Sequence, residues 1–440
     1  MAPAMSRILI LGAGGRDFHV FNTCYRDDPS HEVVAFTATQ IPDIDDRIYP
    51  PVLSGPRYPD GIPILPESDL ENIIRERGVE EAIFAYSDVP QAYVADMARR
   101  VEALGVSMRP FDPARTMLSG VKPCVAVCAV RTGCGKSALS RYVVSILQEL
   151  GRQPAILRHP MPYGDLRRQV VQRFGRLEDL EKHDCTIEEM EEYEPHIQAG
   201  SAVFAGADYG KVLAAAEQEA DIILWDGGNN DTPFVRPDLY ITLLDPLRPG
   251  HELTYFPGRW NFERADVLVI GKTGEAQPED IETVTRNAKE HNPNARLLRA
   301  TSPVSISDAD AVRGKRALVI EDGPTATHGG MGYGAGMIAA QRSGASEIID
   351  PRPYATGEIA AAFEAYPHLH AVVPALGYGD KQIADLEATI DRADCDVVVI
   401  GTPIDLGRIL KISKPSVRVT YGFAEETEPG LAQILREKFG

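Results

Sequence analysis

Short apolar runs alternate with amphipathic stretches along the whole chain. Residues 7–13 (RILILGA), 32–38 (EVVAFTA), 81–88 (EAIFAYSD) and 106–110 (VSMRP) predict strands. Between them, residues 14–19 (GGRDFH) open a helix, and 70–78 (LENIIRERG) and 94–105 (VADMARRVEALG) carry helical periodicity. This βα alternation implies a parallel sheet, interrupted by a proline-dense segment at 50–66 that is expected to form an ordered surface loop. Lys122 and Pro123 mark a restart: the run at 125–130 (VAVCAV) leads through a glycine-rich turn into a long helix, 138–151, closed by Gly151. A second βα series follows, with strands at 155–160, 221–228 and 265–272 and an acidic helical stretch at 177–194 that is expected to be a solvated face or lid. Residues 301–314 are read as a crossing to a third unit, whose strands lie at 317–323, 347–351, 371–377 and 396–403.

The predicted fold class is therefore α/β and multi-domain. A Rossmann-like N-terminal domain occupies 1–120, a central P-loop NTPase domain with a parallel sheet 121–305, and a C-terminal α/β domain 306–440.

Between the strand at 125–130 and its helix lies Val130-Arg131-Thr132-Gly133-Cys134-Gly135-Lys136-Ser137, where a phosphate loop belongs. Its glycines let backbone amides turn onto phosphate oxygens, and the helix N-terminus through Ala138 adds its positive dipole end. Lys136 reaches the β and γ phosphates, and Ser137 is placed to ligate magnesium. Val130 stands where the usual motif has its first glycine, and Arg131 where one P-loop branch carries a signature lysine. Asp226, at the end of an apolar strand and ahead of a polar GGNND run, is the expected carboxylate on the magnesium side. Asn229 and Asn230 in that run suit orientation of phosphate, metal or water. A guanine-reading NKxD segment is missing from the corresponding strand end, which reads Gly271-Lys272-Thr273-Gly274, so ATP is the expected nucleotide, with GTP the alternative.

Cations near flexible turns supply the remaining candidates. Arg158 and Arg248 suit bidentate phosphate recognition, while His159 and His251 in the same loops stand equally as ligands or as structural hydrogen-bonders. Arg16, His19 and Asn22 recur at a spacing of three on the first helix and mark a possible anion pocket. Thr325, Thr327 and His328 belong to a glycine-dense loop, 321–334, assigned to substrate or phosphate contact.

With 45 basic against 64 acidic side chains, the formal charge of -19 argues against general binding to nucleic acid or an anionic membrane. Six cysteines without CxxC pairs fit a reducing compartment, and neither a signal peptide nor a membrane span is evident, so a cytoplasmic protein is expected.

Taken in order, GRDFHVFN, VAFTATQIP, FAYSDV, VAVCAVRTGCGKS, LRHPMPYGDL, WDGGNND, DPLRPGHE, EDGPTATHGGMGYGAG and GTPIDL span nearly the whole chain. Together they resemble the cyclic 2,3-diphosphoglycerate synthetase family, whose members often bear the label of predicted GTPases. The resemblance implies an ATP- and magnesium-dependent ring closure of 2,3-bisphosphoglycerate, or of a related anionic metabolite, with release of ADP and phosphate. On this view Arg131, Arg158, Arg248 and His328 face an anionic phosphorylated substrate, and a homodimer is the default assembly. Two alternatives are a nucleotide switch of the metal-centre maturation type and a regulatory NTPase that binds a small molecule.

Overall fold

The apolar runs are strands buried on both faces, which is why they read as unbroken hydrophobic stretches. The computed structural model describes residues 5–39, 47–158, 164–228, 231–327, 329–376 and 380–440. In the first unit the strand order is Ile48–Tyr49, Ile62–Pro66, His31–Ala38, Ser6–Leu11, Glu81–Phe84 and Ser107–Pro110, parallel apart from the short edge strand Ile48–Tyr49. Ile8 and Ile10 pack with Phe18 and Phe36 on one face, and Leu9 and Leu11 pack with Leu70 and Phe84 on the other. The proline-dense segment does more than loop: Ile62–Pro66 pairs in parallel with His31–Ala38, burying Ile62 and Ile64. Its prolines are tolerated because it lies beside the short edge strand, where few ladder donors are needed.

The central sheet orders Gln172–Phe174, Ala202–Ala205, Pro154–Arg158, Ile222–Asp226, Cys124–Ala129, Leu239–Leu244, Val267–Ile270, Arg296–Thr301 and Ala424–Glu425. Only its two outermost pairings are antiparallel. Cys124–Ala129 is buried throughout and lies between Ile222–Asp226 and Leu239–Leu244, so the loop that follows it opens at the middle of the sheet's carboxyl edge. Helix Lys136–Glu149 lays Leu139, Val143, Val144 and Leu147 on this sheet. Full burial of each such side chain stabilises by about 1.5–3 kcal/mol.

In the third unit the path runs Val304–Ile306, Ser416–Tyr421, Val397–Ile400, Arg316–Asp322 and Glu347–Ile348, with Val373–Ala375 also paired to Arg316–Asp322. The crossing segment thus contributes a strand of its own. The C-terminus divides differently from a simple 306–440 domain. Ala424–Glu425 returns to the central sheet, and helix Leu431–Phe439 buries Leu431, Leu435 and Phe439 in the central core. The outgoing and returning segments run side by side, with Thr301 opposite Ala424 and Val304 opposite Tyr421. The Gly422 amide donates to the Pro303 carbonyl at 2.9 Å between them.

Candidate active site

The loop after Cys124–Ala129 turns on two left-handed glycines, Gly133 with φ +79° and Gly135 with φ +101°. A side chain at either position would be strained, so the residue type follows from the backbone path. Helix Lys136–Glu149 then starts without a side-chain cap, leaving its first amides to whatever occupies the cleft above. Gly133, Gly135, Lys136 and Ser137 all line that cleft. Cys134 and Ala138 are buried beneath it.

Asp226 lies under the loop, 1% exposed, and gathers four donors. Lys136 Nζ is 2.6 Å and Ser140 Oγ 2.8 Å from Oδ1, while Arg158 Nη1 and His196 Nε2 are each 3.0 Å from Oδ2. Burial alone would raise this carboxyl, but the charges of Lys136 and Arg158 and the bond from His196 hold it well below the usual carboxylate range. Lys136 is itself pulled down by burial and supported by Asp226. Arg158, 1% exposed, also pairs with Glu192, and these two carboxylates outweigh burial to keep it charged. Arg158 therefore braces the lysine–aspartate pair from below, a correction to its assignment to the substrate side.

Arg248 is likewise committed to the protein. Its Nε donates to Asp245 at 2.9 Å, Nη1 to the Gly329 carbonyl at 2.5 Å and Nη2 to the Thr132 carbonyl at 2.7 Å. It joins the phosphate loop to the glycine-dense loop of the third unit in place of gripping a phosphate directly. Lys272, from the GKTG segment, donates to the Gly133 carbonyl and lines the cleft. Arg131 lines the cleft too, yet its guanidinium turns toward the first unit. Nε reaches Asp88 at 2.9 Å, Nη1 meets His251 Nδ1 at 3.0 Å, and the group stacks 3.8 Å over the Tyr255 ring. His251, lowered by burial and then by Arg131, is thus a neutral acceptor behind the loop.

The third unit closes the cleft with Glu321, Asp322, Pro324, Thr325, Met331 and Tyr333. Glu321 accepts from the amides of Gly334, Gly336 and Met337 at 2.8–3.2 Å, and burial pushes it up to about 7 despite those bonds. Thr325 donates its amide and hydroxyl to Asp322. The opposite wall overturns the expectation of a solvated acidic face: helix Ile187–Gln198 turns Glu188, Glu191 and Glu192 into the cleft and His196 onto Asp226. Those four residues sit at helical spacing on one side, a signal visible in the sequence but masked by its acidity.

Other predicted site residues lie apart from this cleft. The first loop's anion cradle is filled by the protein's own Asp17, which accepts from the amides of Gly14, Gly15 and Phe18 at 2.7–3.0 Å. Arg16 pairs with Asp231 and the Thr232 carbonyl, His19 stacks on Phe234 at 4.0 Å, and Asn22 donates to the Ala207 carbonyl at 2.8 Å. Burial and Arg16 lower His19 to about 3, so it is neutral. The three seal the first unit against the central one, which corrects their reading as an anion pocket. Thr327 donates to the Gly323 carbonyl and is buried. His159, Asn229, Asn230 and His328 lie outside the described residues.

No family model matches the chain. Over 431 residues, 98% of this chain and 96% of the relative, it is 57% identical to arginine synthetase ArcE of Thermococcus kodakarensis. Over 278 residues, 58% of this chain and 62% of the relative, it is 22% identical to the cyclic 2,3-diphosphoglycerate synthetase of the same organism. Among solved structures, LpxK from Aquifex aeolicus in complex with ATP aligns with a TM-score of 0.44 at 13% identity, covering 79% of this chain and 96% of that one. A ParA family ATPase from Chlorobium tepidum aligns with a TM-score of 0.25 at 12% identity, covering 43% of this chain and 86% of that one.

The phosphate loop with its lysine, set in a multi-domain α/β fold, defines a P-loop ATP-dependent ligase. Within that class the chain belongs to the family of arginine synthetase ArcE. Among the described residues no helix is long and apolar enough to cross a membrane.

Proposed function

We propose that this cleft joins an amine to a phosphoryl-activated ureido group, giving a guanidino product of the arginine class with release of ADP and phosphate. One observation carries the assignment: six carboxylates, Glu188, Glu191, Glu192, Glu275, Glu321 and Asp322, line the cleft against three cations, Arg131, Lys136 and Lys272. The triphosphate uses the positive charge at the loop, so the acceptor side is acidic and suits a cationic substrate and product. The name of the relative that is 57% identical supports the same direction.

The acidity weighs against 2,3-bisphosphoglycerate as acceptor, since ring closure would bring two phosphates into a carboxylate-rich wall. The nucleotide-switch alternative lacks support of this kind, because hydrolysis alone asks for no acceptor wall.

The chemistry follows from the residues in place. Lys136 and the loop amides hold the γ-phosphoryl while the ureido oxygen attacks phosphorus and the bond to ADP breaks. The amine then attacks the activated carbon, the carbon–oxygen bond breaks, and inorganic phosphate leaves. Magnesium, when bound, neutralises charge on the phosphates. The Ser137 hydroxyl, which lines the cleft, is an oxygen donor of the class such a hard cation takes, whereas both Asp226 oxygens are already engaged by Lys136, Ser140, Arg158 and His196. Arg248 and Lys272 fix the loop's carbonyls, so its amides keep their inward direction.

The test supplies the full chain with ATP and magnesium. One arm adds citrulline, the ureido analogue of arginine, with ammonium chloride; the other adds 2,3-bisphosphoglycerate. Arginine and ADP in equal amounts in the first arm are expected. A cyclic anhydride in the second arm, seen by phosphorus NMR, or ADP formed without any acceptor, overturns the assignment.

A further inference from the structure

Glu191 is 5% exposed on the cleft wall, and neither of its oxygens meets a hydrogen-bond donor among the described residues. Its carboxyl instead lies within hydrogen-bonding reach of another carboxyl, that of Asp322, which comes from the end of the third unit's strand Arg316–Asp322. Other charges around the pair do not relieve it. Glu188 and Glu192 lie one turn or less away on the same helix, Glu321 adjoins Asp322, and Tyr421 faces both carboxyls. Of the arginines nearby, Arg158 is engaged by Glu192 and Asp226, and Arg141 donates to the Tyr421 carbonyl and lies over the Tyr421 ring. Glu191 is buried and Asp322 half-buried, and burial together with the neighbouring carboxyls keeps Glu191 protonated unless a cation enters between the two. Because Thr325 donates twice to Asp322, that proton belongs on Glu191.

We propose that Glu191 and Asp322 form the seat of the amine co-substrate, taking an ammonium cation and accepting the proton its nitrogen must lose before attack. The proposal rests on the ligase assignment above and adds the residues that serve its second step. An N–H cation donates hydrogen bonds to both carboxyls and supplies the charge that lets both ionise. One N–H bond of the ammonium ion breaks and its proton passes to Glu191. The freed electron pair forms the bond to carbon, and the carbon–oxygen bond electrons leave with phosphate. Burial and Asp322 raise the proton affinity of Glu191, which makes it a stronger base than an ordinary carboxylate. The pair spans two units of the fold, Glu191 coming from helix Ile187–Gln198 and Asp322 from strand Arg316–Asp322.

Two measurements on the full chain test this. In infrared difference spectra, ammonium chloride should remove a protonated-carboxyl band that sodium chloride leaves in place, and E191Q should lack that response. In steady state, E191Q should lower kcat about 100-fold and raise KM for ammonium about tenfold, with affinity for an ATP analogue unchanged. D322N should raise the same KM. A wild-type spectrum without an ammonium-sensitive carboxyl, or E191Q with an unaltered KM for ammonium, overturns the proposal, and the wild-type spectrum decides even if the variant folds poorly. If the band responds yet citrulline and ammonium give no ADP, the pair stands as a cation seat and the guanidino assignment falls.

Discussion

Asp226 shows how one side chain sets the charge state of a whole site. It holds Lys136 at the mouth and Arg158 and His196 below, so removing it leaves the buried Lys136 without its counter-charge and Arg158 with Glu192 alone. Breaking a buried pair on one side costs about 3–5 kcal/mol, and Asp226→Ala should show a loss of that order in urea unfolding. Because its folded pKa is depressed, Asp226 contributes stability above its unfolded value and loses it as pH falls through the folded one. That contribution is intact at neutral pH and disappears only in strong acid. Lys136→Ala should abolish turnover, whereas Lys272→Ala should weaken ATP binding by calorimetry while leaving the fold unchanged. A Lys272 variant with wild-type affinity would show that its bond to the Gly133 carbonyl does not shape the loop. Lys136 and Asp226 were legible because their spacing from glycines and strand ends carries a mechanism. Lys272 was not, since a lysine in GKTG reads only as the remnant of a guanine motif.

At the scale of elements, helix Ile187–Gln198 is the least legible and the most consequential. Its capping box, with the Thr186 hydroxyl accepting from the Glu189 amide and Glu189 accepting from the Thr186 amide, was present in the sequence as T-x-x-E. An acidic composition suggested solvent, yet burial decides which carboxylates are charged. Glu189 and Glu321 are each pushed by burial from an ordinary 4.5 up to about 7. A raised carboxyl favours the folded state while protonated, so stability falls as pH climbs from 4.5 to about 7. Melting temperature should therefore decline across that window, and E189Q and E321Q should each flatten the decline. A slope unchanged in both variants would show that these groups do not titrate on unfolding. The phosphate-loop strand and helix, by contrast, were placed closely by periodicity, because their burial is settled within one unit.

For the whole molecule, βα alternation conveyed the α/β, multi-domain class. The route of the C-terminus stayed hidden because a two-residue strand such as Ala424–Glu425 leaves no periodic trace. The contact between the first and central units was hidden for another reason. Arg131, expected to face phosphate, is drawn away by Asp88 and stacks on Tyr255, while Tyr255–Phe256 pairs with Val89–Pro90. The first unit thus sets the direction of a phosphate-loop side chain, and Asp88→Ala should lower kcat about tenfold or more through misplacement. Its ADP-binding affinity should change less than its turnover; equal losses in both would make the contact merely structural.

The paired leads into and out of the third unit bear on how its carboxylates are held. Residues 301–304 and 421–424 lie together and are bonded through Gly422 and Pro303. Two leads fastened to each other oppose twisting better than one alone, so the wall that carries Glu321 and Asp322 keeps its bearing on the phosphate loop through the same short ladder that carries the chain across.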